Sequence, residues 1–175
     1  MMNSEKPVEM LDCWRETAQY WTKYSDNIAR MFAPLTEAMI ERAGIHEGQS
    51  VLDVAAGAGE PSLTIAERVG PNGTVMCTDA VAAMVEAARS EANRRGLKNM
   101  QFQQCTADSL PFPDNSFDVV VSRLGVMFFL DSVGAMREML RVVKPGGSLT
   151  FAVWYKSEVN PFCYLVSNVM DKHVK

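Results

Sequence analysis

From residue 50 onward the sequence alternates short apolar runs with longer amphipathic ones, and that alternation leaves very few architectures open. Residues 50–55, 74–78, 100–105, 117–122 and 148–154 are short and rich in β-branched or aromatic residues, which predicts strands. Residues 61–69, 81–95 and 132–143 carry helical spacing, with Pro61 suited to a first helical turn and Gly96 to a helix end. Pro71-Asn72-Gly73 reads as a turn, and Lys144-Pro145-Gly146-Gly147 as the stop between the last helix and the last strand. Strands separated by helices predict an α/β protein with a parallel, doubly wound sheet. Right-handed crossovers then favour the order 3-2-1-4-5, with a switch point beside the first strand where ligands bind.

Ahead of this lies a helical lead-in, residues 1–47. Residues 11–33 are expected to be helical, with Trp14, Tyr20, Trp21, Tyr24, Ile28 and Met31 mostly on one side. Pro34 predicts a break or kink, after which 36–43 resumes as helix until Gly44 ends it. The aromatic stripe suits either packing or a lid over a ligand.

Composition narrows the partners. A chain of 175 residues supports one domain, and a formal charge of −4 provides no basic footprint for nucleic acid and no polybasic membrane anchor. The four cysteines, Cys13, Cys77, Cys105 and Cys163, are scattered without a CxxC pair, which favours a reducing, cytoplasmic setting over a disulfide framework. His46 and His173 are the only histidines, so no metal centre is expected. The first ten residues have no apolar core of a secretory signal, and no stretch approaches the ~20 apolar residues needed to cross a bilayer.

The chemistry concentrates after the first strand, in Val51-Leu52-Asp53-Val54-Ala55-Ala56-Gly57-Ala58-Gly59-Glu60-Pro61. Gly57 and Gly59 allow a sharp turn and a close ligand approach. Asp53 ends an apolar strand, where an acid needs a partner such as the turn or an ammonium group. A nicotinamide dinucleotide site would want a third glycine where Ser62 stands, and Glu60 at the helix entrance repels a diphosphate. Glu60 does not repel a sulfonium amino acid. Asp79, closing the second strand, suits two roles: accepting both hydroxyls of a ribose, or capping the helix that follows.

With these pieces in order, the sequence resembles the class I S-adenosylmethionine (SAM)-dependent methyltransferases, in the broad group that includes ubiquinone/menaquinone-biosynthesis C-methyltransferases. The resemblance rests on VLDVAAGAGEP, the acid of CTDA, LPFPDNSFDVVVSR and REMLRVVKPGGSLTFAVW, and covers about 48–154. It implies a Rossmann-like domain over 48–175 and SAM as cofactor. Carried over by position, Asp53, Ala55, Gly57 and Gly59 would line the methionine part of SAM. Asp79 would hold the ribose, Ala80 and Met84 would pack near the adenine, and Ala107 would offer it a backbone N–H. Ser122, Arg123 and Leu124 would lie beside the sulfonium. Two positions depart from the family pattern: Ala55 stands where glycine is usual, and Thr106 replaces an acid or amide, leaving Thr106 or Asp108 to meet the adenine amine.

The resemblance further implies a small-molecule methyl acceptor, and a sheet that continues past the fifth strand with a helix and an antiparallel hairpin. Residues 160–174 leave room for the helix alone, so the chain is expected to be short at its C-terminus and to lack the last strands. The fifth strand would then present an apolar edge for a homodimer mate or another partner to cover. Beside the methyltransferase reading this leaves open a SAM-binding but inactive fragment or subunit that regulates or completes a partner. No catalytic base is evident: His46 precedes the first strand, and His173 lies in the last few residues. Arg123, Met127, Phe128 and Phe129 are candidates for the floor of a substrate pocket.

Overall fold

The structure, a computed structural model, describes residues 7–156 and 159–160. Two helices lead in, α1 (Pro7–Lys23) and α2 (Ser25–Ala43). Then β1 (Ser50–Val54), α3 (Ser62–Val69), β2 (Thr74–Asp79), α4 (Ala82–Arg95) and β3 (Met100–Gln104) follow in alternation. A loop leads to β4 (Phe117–Arg123), a single 3₁₀ turn (Val126–Phe128), α5 (Ser132–Val142) and β5 (Val143–Ala152).

The five strands form one parallel sheet in the order β3-β2-β1-β4-β5, as the alternation predicts. Central strands are apolar because both faces are covered. On one face Val51, Val75, Val119 and Val121 pack with Met39 and Ile40 of α2 and Ile65, Ala66 and Val69 of α3. On the other, Leu52, Val54 and Val120 pack with Ala135, Met139 and Val142 of α5. Successive strand residues thus serve opposite layers, which is the two-residue period of a β-strand. The polar outer strand β3, with Gln101, Gln103 and Gln104 exposed, is a blunted edge. The outer side of β5 has no strand neighbour among the described residues, and Phe151, Val153, Trp154 and Tyr155 beside it are exposed.

Two boundaries differ from expectation. The lead-in does not break at Pro34, which lies inside α2; the break is one residue at Tyr24, with φ −108° and ψ 18°. Pro34 deprives the helix of one hydrogen bond, but Thr36, Met39, Ile40 and Ala43 beyond it are all buried, and that packing carries α2 through. Lys144-Pro145-Gly146-Gly147 is not a loop ahead of the last strand but a bulge within it. Phe117 pairs with Val143 and Val119 with Ser148, so the extra residues are accommodated on β5, where Gly146 takes φ 83°. The expected helix at 160–174, with Cys163 and His173, lies outside the described residues except for Asn160.

Candidate cofactor-binding site

The carboxyl ends of β1 and β4 meet at the switch point, and the backbone there is unusual. Ala55 has φ 60°, Gly57 58° and Gly59 116° after β1, and Leu124 has φ 60° after β4. Left-handed backbone costs a non-glycine residue about 1–2 kcal/mol, so Ala55 and Leu124 are both strained on facing sides of one cleft. The glycines differ in purpose. A Cβ on Gly59 would fall 2.8 Å from Leu63 Cδ1 and 3.2 Å from Ala88, so Gly59 serves the packing of α3 against α4. A Cβ on Gly57 would meet nothing within 4 Å, leaving that turn open to a ligand. Gly125 seals the two turns together: a Cβ there would lie 2.7 Å from Ala55 Cβ and 2.9 Å from Ser122 Oγ.

Asp79 ties the turn down. Its Oδ2 accepts the Gly57 N–H and its Oδ1 the Val81 N–H, both at 2.9 Å. Val81, not Asp79, is the N-cap of α4 and no side chain caps it, so the helix-cap role weighed for this acid is not taken up. The bond to Val81 closes an Asx-type turn ahead of the helix, and the other reaches across to the turn of β1. Each oxygen keeps a further lone pair toward the cavity that Asp79 lines. Burial raises its pKa, against the opposing pull of the backbone N–H groups of Val81, Gly57 and Ala80.

Asp53 lies behind the turn and is fully buried. Its Oδ2 accepts the Ser62 hydroxyl at 2.6 Å, while Oδ1 has no partner. Burial lifts its pKa from 3.8 to about 7; the Ser62 hydroxyl and the nearby charge of Arg123 pull the other way. Ser122 is buried at the end of β4 with Oγ unpartnered. Arg123 follows it and reaches sideways, donating to Thr36 Oγ1 at 2.7 Å and to the Glu60 carbonyl at 2.9 Å, with its guanidinium over the Phe32 ring.

Two cavities open over these strand ends. The first is lined by Ala55, Gly57, Asp79, Ala80, Met84, Arg123 and Leu124, and roofed by Trp14, Trp21, Ile28 and Phe32 of the lead-in helices. The second is lined by Thr106, Ala107 and Asp108 from the loop after β3, and shares Leu11, Ala55, Ala80 and Phe128–Leu130 with the first. The expected site residues thus gather around one divided cleft, except that Asp53, Gly59 and Ser122 stand behind its wall. Trp14 of α1 meets Phe128 edge-on, ring centroids 5.1 Å apart, across the division between the cavities. Tyr20 and Tyr24, from the same predicted stripe, are exposed instead.

Some participants were invisible in the local pattern. Thr36 is buried and holds Arg123; nothing near it in sequence signals that pairing. Phe32, one helical turn beyond Ile28, was legible by spacing but belongs to the cavity rather than the exposed side where Met31 lies. Glu60 is engaged twice, by Arg95 at 3.1 Å and by the Thr64 hydroxyl at 2.7 Å, so it is no free base. Burial pushes the Cys105 thiol up to about 11, which removes it as a nucleophile near neutral pH. His46 is exposed in the turn before β1, at the opposite end of that strand from the cleft. Among the described residues no group of three or more metal-ligating side chains is found.

The chain matches the family described as "Methyltransferase domain" over residues 45–173. It is 38% identical over 133 residues to the ubiquinone/menaquinone biosynthesis C-methyltransferase UbiE of Hahella chejuensis, covering 75% of this chain and 52% of that protein. The UbiE of Cellvibrio japonicus is 40% identical over 150 residues, 85% of this chain and 57% of that one. Among solved structures, a SAM-dependent methyltransferase from Aquifex aeolicus superposes with a TM-score of 0.67 at 28% identity, covering 78% of this chain and 77% of the other. The chain therefore belongs to the class I SAM-dependent methyltransferases, whose cofactor is S-adenosylmethionine. It spans about half the length of the curated relatives it matches.

The residues present fit that cofactor. A buried carboxylate oxygen without a partner suits an ammonium group, the open face of Gly57 leaves room for a chain to pass, and the spare lone pairs of Asp79 suit a diol.

Proposed function

We propose that this chain binds SAM along the divided cleft and transfers its methyl group to a small, largely apolar acceptor. The observation that carries the reading is the coupling of Asp79, by its hydrogen bond to Gly57, to a turn backed by the unpartnered Asp53 Oδ1. Bound SAM supplies a methyl carbon already activated by a sulfonium. This chain's own residues bind, orient and exclude water. Asp79 accepts the ribose hydroxyls. Ala80 and Met84 pack near the adenine, whose ring meets the Ala107 N–H and whose amine meets the Thr106 hydroxyl or Asp108. Asp53, Ala55, Gly57 and Gly59 form and back the run along which the methionine part lies. Arg123 and Leu124 border the sulfonium, with Ser122 behind them.

Residues 1–47 act as the lid of the 48–175 domain. Trp14, Trp21, Ile28 and Phe32 give the acceptor space its apolar, water-excluding roof. Of the ionisable groups lining the first cavity, Glu60 is engaged by Arg95 and Thr64, Asp79 is held by two backbone N–H groups and given to the ribose, and Arg123 is a guanidinium with no lone pair to take a proton. Rate then comes from alignment rather than from a base, so the acceptor brings its own nucleophile. No helix among the described residues is long and apolar enough to cross a membrane. A cytoplasmic location and a small-molecule rather than nucleic-acid partner suit the net charge of −4. The outer edge of β5 is where a homodimer mate or partner chain would pair.

Incubation of the purified chain with methyl-labelled SAM and a small-molecule extract tests the proposal. Label is expected in organic-extractable small molecules. Label found only in protein or nucleic acid, or none in any fraction while SAM is bound, would overturn it.

A further inference from the structure

Among the described residues lining the first cavity Arg123 is the cation; the charges of Asp53 and Glu60 lie near it, but no carboxylate hydrogen-bonds it. Its two recorded side-chain hydrogen bonds go to neutral oxygens, Thr36 Oγ1 and the Glu60 carbonyl, and neither goes to a carboxylate. Phe32 covers one face of the guanidinium, 5.2 Å from centroid to Cζ. A guanidinium has five N–H donors in a planar fork, so donors remain for another acceptor. The guanidinium is partly buried, and that desolvation lowers its pKa against the opposing charges of Asp53 and Glu60, so a carboxylate bonded directly to it would offset a real cost. Its tethers hold it rigidly: Thr36 from α2 on one side and the Gly59-Glu60 turn on the other.

Its position along the cleft is as informative as its charge. The second cavity, with Thr106, Ala107 and Asp108, joins the first at Ala55 and Ala80. Asp79 and Gly57 follow in the first cavity, and Arg123, Glu60 and Phe32 line the first cavity only. A ligand with its base in the second cavity and its ribose on Asp79 therefore extends along the turn toward Arg123. Asp53, with its unpartnered oxygen, backs that same turn.

Resting on SAM as the ligand, we infer that Arg123 is the carboxylate-binding residue of the site: its guanidinium fork pairs the α-carboxylate of the cofactor's methionine part, opposite Asp53 for the α-ammonium. The cleft then reads the amino-acid end of the cofactor by a fixed charge at its carboxylate, with Asp53 backing the turn on the side of its ammonium. Thr36 and Phe32 are positioning residues that aim the fork.

A carboxylate on the methyl acceptor would share this chemistry, and the experiment separates the two sources. The 175-residue chain is titrated by calorimetry with S-adenosylhomocysteine and, separately, with its decarboxylated analogue, 5′-S-(3-aminopropyl)-5′-thioadenosine. Wild type is expected to prefer S-adenosylhomocysteine by about 10- to 100-fold, the worth of a charged hydrogen-bonded pair. In Arg123→Met the preference should fall to within about threefold, and in Arg123→Lys, which keeps the charge without the fork, to an intermediate value. The ratio of two ligands on one preparation is unaffected by the fraction folded, and Arg123→Lys carries the test where Arg123→Met does not fold. A wild-type chain that binds both ligands equally would overturn the inference while leaving the cofactor reading intact. So would a preference that survives either substitution, which would leave Arg123 to an acceptor's anion or to structure alone. A wild-type chain that binds neither ligand would overturn the cofactor reading itself.

Discussion

Ala55 and Ala56 are adjacent alanines for which the structure expects opposite responses to glycine. Ala55 is half-buried at φ 60°, a conformation that penalises any side chain with a Cβ. Ala56 is 4% exposed, packs with Cys77 and Ala88, and has no positive φ. Ala55→Gly releases about 1–2 kcal/mol of left-handed strain. Against that stand about 0.5–1 kcal/mol of extra chain entropy lost by glycine and part of one methyl's burial. The net is between neutral and about 0.5 kcal/mol stabilising. Ala56→Gly has no strain to release and forfeits both the methyl burial and the entropy, for a loss of about 1.5 kcal/mol. The gap between the variants is therefore about 1.5–2 kcal/mol, or roughly 3–8 °C in melting temperature for a domain of this size. Urea denaturation and thermal melts of the three proteins, without cofactor, measure it. Equal losses in both variants would refute the claim that Ala55 is strained.

Further outcomes follow from the same geometry. Asp53 holds a proton in the native state up to about pH 7, while in the unfolded chain it loses it near 3.8. Between those values the native state binds more protons, so this group's contribution to stability falls as pH rises and is level above pH 7. Asp53→Asn should lose about 2 kcal/mol less than wild type between pH 5 and 7.5; parallel pH profiles of the denaturation midpoint would contradict this. Arg141 holds the loop before β4, donating to the carbonyls of Leu110 and Phe112 and to Asp114 and Glu138, while Glu138 accepts the Leu110 N–H. Arg141→Ala should cost about 2 kcal/mol of stability and weaken S-adenosylhomocysteine binding, because the other end of that loop carries Thr106–Asp108. An unchanged dissociation constant would confine Arg141 to stability.

The alternating pattern made the sheet legible because strand and helix periods are local properties, and the strand order followed from a doubly wound pattern joined by right-handed crossovers. The cleft was legible for a different reason. A small-residue turn must sit at the end of β1, and an acid must end β2 beside it, so Gly57 and Asp79 are each written in a short stretch. What escaped was non-local or decided by competition. Pro34 looked like a break because the burial of Met39 and Ile40 beyond it has no local signature. Lys144–Gly147 looked like a loop because a bulge is defined by its partner strand, and the register with Phe117 and Val119 is not contained in the segment. The tie between Thr36 and Arg123 joins residues 87 positions apart, and the hold of Arg141 on Leu110 spans 31. The left-handed backbone at Ala55 was hinted at only by the departure from glycine, and at Leu124 not at all.

The central claim, that this chain carries a working SAM cleft centred on Asp79 and its turn, is tested most directly by calorimetric titration of the 175-residue chain with S-adenosylhomocysteine, alongside Asp79→Ala. One site of micromolar affinity is expected in wild type, weakened by about 1–3 kcal/mol in the variant as the ribose acceptor and the tether to Gly57 are lost. A folded wild-type chain that gives no binding heat at any temperature tried, or a variant that binds as tightly as wild type, would contradict the account.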